Sequence, residues 1–122
     1  MTQNEKRIDI TNFISKKINK DFTYLKEVSN RYNFNIGFIS IHSSEQLSLK
    51  NMLRASDKVI EIKIKDTYYY FVFLMFVEND SLYEVVKKIE KENDKIEIYF
   101  ELISRDTREH IKNFIDSLYF SS

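Results

Sequence analysis

Few residues in this chain combine types and spacings that could do chemistry. Arg54-Ala55-Ser56-Asp57 sets a guanidinium and a carboxylate three residues apart. The plain reading is an i,i+3 ion pair at a helix end, worth a few tenths of a kcal/mol. Lys65-Asp66-Thr67 occupies a tight turn, where Asp66 is expected for its turn geometry rather than as a metal ligand. His42 and His110 lie far apart and have neither cysteines nor paired carboxylates at ligand spacing, so a metal site is not expected. A Ser-His-Asp set can be assembled from scattered residues, but no nucleophile-elbow pattern supports one. Tyr68-Tyr69-Tyr70 could stack bases, yet an RNA-binding sheet would want flanking basic residues and a bare face. Tyrosines on a central strand are more often core or interface.

Composition narrows the classes further. The 122 residues suit one domain able to bury a core without covalent staples. Lys+Arg and Asp+Glu both number 19, so no global charge steers the molecule toward nucleic acid or an anionic membrane. The absence of cysteine rules out disulfides, thiolate metal sites and a cysteine nucleophile. The single glycine, Gly37, rules out Gly-rich phosphate loops. The polar stretch Met1–Arg7 has no apolar signal core behind it, and the run 68–77 is too short to span a bilayer. A soluble cytoplasmic protein without membrane insertion is the expectation.

The elements that must position these residues follow from periodicity. Ile10, Phe13, Ile14, Ile18, Phe22, Leu25 and Val28 recur at helical spacing and predict a long amphipathic helix over 8–31. Its other side carries Lys16, Lys17, Lys20 and Lys26, and a bend near Asn19-Lys20-Asp21 is an option. Residues 35–41 read as a strand. Ser43 with Gln46 reads as a capping box opening a helix that runs to about Arg54. A hairpin of 58–64 with 68–77 follows. Ser81 and Glu84 offer a second capping box, 95–103 alternates as a strand, and Asp106 caps a final helix over 106–120. Strands 58–64 and 95–103 alternate apolar and charged residues, as edge strands do. Strands 36–41 and 68–77 are apolar on both faces, as central strands are. A βαββαβ core over 35–103 with right-handed crossovers then has the antiparallel order 4-1-3-2. The expected fold is α+β and ferredoxin-like, with added N-terminal and C-terminal helices.

On these landmarks the chain resembles the GGDEF family, the diguanylate cyclase domain, whose nucleotide-cyclase-like fold uses the same sheet. A helix leads through Arg31-Tyr32-Asn33-Phe34 into "IGFISI". "LRASD" (53–57) is similar to the family's Leu-Arg-x-x-Asp before its catalytic hairpin. "FVFLMFVENDSLYEVVKKIE" (71–90) resembles the second hairpin strand and following helix, and "IDSLY" (115–119) a motif near the family's C-terminus. The likeness covers most of 20–120 and rests on the order of the motifs.

The resemblance also shows what is missing. The family's first strand ends in a metal-binding Asp, where this chain has Ser40, or His42 if the register slips by two. The hairpin lacks the Gly-Gly turn and its acidic residue, so the oxygen ligands that divalent metals require are gone. The resemblance therefore implies no enzyme and no cofactor. It does retain Arg54 and Asp57 at the family's inhibitory site for cyclic di-GMP, with Lys88 near a second basic position. A guanidinium fork suits phosphate or the guanine O6/N7 edge, and a carboxylate suits guanine N–H donors. The expected role is a non-catalytic regulatory module in bacterial signal transduction, binding a protein partner and responding to cyclic di-GMP. The alternative is a pure interaction or homodimerisation module, with an incompletely covered sheet face at Tyr68, Tyr69, Tyr70, Phe71 and Phe73 as its surface.

Overall fold

The computed structural model describes residues 3–93, 95–103 and 107–120. Three helices and a four-stranded antiparallel sheet make an α+β fold. In chain order these are α1 (Gln3–Tyr32), β1 (Ile36–Ser43), β2 (Lys58–Ile64), β3 (Thr67–Met75), α2 (Asn79–Glu92), β4 (Ile96–Ile103) and α3 (Thr107–Phe120). The sheet order is β2-β3-β1-β4, with β2 and β4 at the edges. No described helix is long and apolar enough to cross a membrane.

The strands sort the core into two layers. Phe38, Tyr69, Phe71 and Phe73 project to one face, where they meet Ile14, Ile18 and Phe22 of α1 and Ile111, Phe114 and Ile115 of α3. Ile39, Ile41, Tyr70, Val72 and Leu74 project to the other, against Leu82, Val86 and Ile89 of α2. Aromatic rings lock the first layer: Phe38 stands edge-on to Phe73 at 4.8 Å, and Phe71 stands edge-on to Phe114 at 6.2 Å. β1 and β3, buried on both sides, are apolar throughout apart from Ser40, His42 and Ser43 on β1 and the opening Thr67 of β3.

This arrangement corrects the expected interaction surface. Tyr69, Tyr70, Phe71 and Phe73 are buried, and Tyr68 is half-buried with its ring stacked beside Tyr70. Helices cover both faces, so these side chains are core rather than an open sheet face.

The expected helix from Ser43 to Arg54 is also absent. β1 continues to Ser43, and the chain then crosses to β2 through an irregular segment with one 3-10 turn, Lys50–Met52. The Ser43 hydroxyl bonds Glu45 alone, accepting its N–H at 3.1 Å and donating to its C=O at 2.7 Å. That closes a local turn in place of a helix cap. The Leu47 N–H donates to the Tyr70 hydroxyl at 2.8 Å, which pins the segment to the sheet. An open cleft of about 540 Å³ lies beneath it, lined by Leu47, Leu49, Val59, Glu61 and Tyr70 among others.

Two further boundaries differ. α2 starts at Asn79, with Glu78 as its N-cap residue and no side-chain cap, so Ser81 and Glu84 lie inside the helix. α1 is one continuous helix through Asn19–Asp21, and Phe13 is exposed on it. Asp106, the expected cap of α3, lies outside the described residues.

Candidate functional site

Arg54 and Asp57 do meet, in the loop before β2. Arg54 Nη2 and Nε donate to Asp57 Oδ1 and Oδ2 at 3.0 and 3.2 Å. Asp57 also accepts the Arg54 backbone N–H at 2.9 Å and the Met75 N–H at 3.0 Å. Arg54 Nη2 donates in addition to the Met75 carbonyl. The carboxylate is thus saturated by internal donors, and its side chain is 2% exposed, against 54% for Arg54. The pair is a clasp that fastens the start of β2 to the end of β3. Asp57 faces inward and has no oxygen to offer a ligand, whereas the guanidinium remains half open to solvent.

Lys88 does not join this pair. It is exposed on α2, nine residues beyond the helix start, which places it about 14 Å along the axis. Among the described residues no hydrogen bond or ion pair links it to Arg54 or Asp57.

The carbonyl that the guanidinium holds precedes an aromatic residue. Met75, whose carbonyl Arg54 holds, is followed by Phe76, which is 64% exposed. Phe76 has φ 56, a left-handed conformation that is an outlier for a bulky side chain. Its ring lies on that of Phe34, with centroids 4.1 Å apart. Phe34 is held by the end of α1, where Asn33 at φ 54 closes the helix and the Phe34 N–H donates to the Ser29 carbonyl at 3.2 Å. Phe76 is exposed and Phe34 half-buried, and their stacked rings lie at the end of the sheet where β1 begins and β3 ends, the same end at which Arg54 holds the Met75 carbonyl.

A second constellation was not expected from the sequence. Ser40 Oγ lies 2.8 Å from His110 Nε2, and His110 Nδ1 lies 2.7 Å from Glu101 Oε1. β1, α3 and β4 supply one group each. The carboxylate accepts from Nδ1–H, which leaves Nε2 to accept the Ser40 hydroxyl proton. Burial pushes the imidazole down to about 3, so it is neutral near pH 7. Burial, and next the Glu109 charge, raise the Glu101 carboxyl above its usual value. The order of groups is that of an acyl-transfer triad. Ser40, however, is fully buried in the middle of a central strand, with Phe38 and Tyr99 packed on the histidine ring. No carbonyl substrate can reach it, and the relay serves to dock α3 on the sheet. A polar residue inside an otherwise apolar strand was the available signal: a buried hydroxyl requires a partner.

Among the described residues no group of three His, Cys, Asp or Glu side chains could hold a metal ion. Comparison with protein-family models, with curated proteins and with solved structures finds no match to this chain.

Proposed function

We propose that the protein is a non-catalytic regulatory module of ferredoxin-like, nucleotide-cyclase-like plan, resembling a degenerate GGDEF domain, and that it binds through its Arg54–Phe76–Phe34 patch. The observation that carries this reading is Phe76. An exposed aromatic held at positive φ is maintained at a cost of order 1–3 kcal/mol, which is typical of recognition sites rather than of packing. Aromatic and arginine side chains are also the groups that dominate protein interfaces.

Cyclic di-GMP is the small ligand whose chemistry suits this patch. The half-exposed guanidinium offers donors to a phosphate or to the guanine O6/N7 edge, and the Phe76 and Phe34 rings offer a stacking surface. Asp57 would act as a positioning residue that aims Arg54, without touching the ligand. Lys88 would contribute charge at a distance at most.

Titration with cyclic di-GMP tests the reading, with each variant compared with its own ligand-free state. At a hundredfold excess over the dissociation constant, the wild-type fold should gain about 2.7 kcal/mol, seen as a rise in melting temperature. Arg54→Ala should abolish the rise, and Phe76→Gly should reduce it while fitting the backbone conformation. A flat wild-type titration would remove the nucleotide from the proposal. The pure protein-interaction reading, which uses the same patch, would then stand.

A further inference from the structure

The two edges of the sheet differ in how they are guarded. β2 carries Lys58, Glu61 and Lys63. Lys58 is ion-paired to Asp21 of α1, and Gln46 of the crossing segment reaches Glu61 at 3.4 Å. Lysines and covering segments are what keep an edge from recruiting another strand. β4 has neither. Its sequence, "IEIYFELI", is paired to β1 on one side, and among the described residues no strand pairs with its outer side. Alternate backbone N–H and C=O groups along the strand therefore face solvent. Ile96, Ile98, Tyr99, Phe100 and Leu102 stay only half-buried, although α2 and α3 lie over their two faces. A further strand would cover them.

We infer that the β4 edge binds β4 of a second copy of this chain, antiparallel about a two-fold axis through Ile98, to make one continuous eight-stranded sheet. The register follows from charge. Pairing about Tyr99 sets Glu97 against Glu101 twice, and pairing about Glu97 sets that residue against itself. Like charges directly opposite one another destabilise a sheet. Pairing about Phe100 opposes no opposite charges. Pairing about Ile98 sets Lys95 against Glu101 twice, Ile96 against Phe100 twice, and Ile98 against Ile98. Lys95 is exposed and Glu101 uses one oxygen on His110, so both are available for the pair. This edge is independent of the Arg54–Phe76 patch, so the two proposals can fail separately.

Sedimentation across a concentration series tests the proposal, together with two variants. The wild-type chain should pass from monomer to dimer as concentration rises. Lys95→Glu lies outside the packed core, should leave the fold intact, and should weaken the dimer about tenfold or more by opposing like charges twice. Because the chain has no cysteine, Ile98→Cys can form a disulfide only between copies. Residues directly opposite in a sheet have Cα atoms about 4.5–5.5 Å apart, within disulfide range, so oxidised Ile98→Cys should run as a covalent dimer. Tyr99→Cys, displaced from the axis, should not. A wild-type chain that stays monomeric, a dimer indifferent to Lys95→Glu, or a failure of Ile98→Cys to cross-link would overturn the inference.

Discussion

Asp57 and His110 show how single polar residues are used in this fold. Spacing alone brought Arg54 and Asp57 together, but it could not say that the carboxylate would turn inward to the Met75 N–H. That outcome depends on β3 ending beside the loop, a contact between residues 18 apart in sequence. His110 depends on even longer separations, with Ser40 70 residues away. Its titration has a measurable consequence. The unfolded chain takes up a proton near the ordinary imidazole value of 6.5, whereas the folded chain refuses it until about pH 3. Stability is therefore full above 6.5 and falls as pH drops through that window, by at most about 1.4 kcal/mol per unit. His42, lowered chiefly by burial, acts in the same direction. Glu101 acts oppositely: its raised carboxyl favours the folded state at the acid side of the carboxylate range, and that contribution fades as pH rises. Urea denaturation from pH 7 to pH 5 should show falling stability in the wild type and a flatter profile in His110→Asn. Equal slopes would mean that the imidazole is not held neutral.

At the scale of elements, the strands and the three helices were legible because their apolar periods match the faces they bury. α2 shows the logic clearly, with Leu82, Val86 and Ile89 on its inner side. The one element misjudged was the helix after Ser43. Its capping pattern was present in the sequence, and Ser43 does accept the Glu45 N–H, but its hydroxyl donates to the Glu45 carbonyl as well and no helical turn follows directly. The chain must then cross β3 to reach β2, and the Tyr70 hydroxyl holds it to the sheet on the way. Gly37 has a role of the same kind. A Cβ there would lie 2.9 Å from side-chain carbons of both Leu82 and Val77, so the only glycine in the chain lets α2 approach β1. Gly37→Ala should cost about 1–3 kcal/mol by overpacking, measured by chemical denaturation. A neutral result would show that α2 can shift to accommodate a methyl group.

For the whole molecule, the division of labour is spatial. Both sheet faces are closed by helices, a buried relay ties α3 to the sheet, and among the described residues the β4 edge, the cleft beneath Leu47 and the Arg54–Phe76 end stay accessible. The sequence pattern led to the sheet and its helical cover but put the exposed aromatics in the wrong place. Alternation says which residues share a face, and only the docked helices say which faces stay bare. Phe76 escaped notice because a phenylalanine following a strand reads as its continuation, whereas its positive φ turns it out to solvent. The proposed binding surface is the end of the sheet that carries Arg54 and Phe76. Backbone amide chemical shifts of the isotope-labelled chain, followed during a cyclic di-GMP titration, test it most directly. Saturable shifts concentrated at Phe34, Arg54 and Phe76 are expected, with α3 and the β2–β3 turn unmoved. Saturable shifts centred on Lys88, on the cleft beneath Leu47, or on β4 would contradict it.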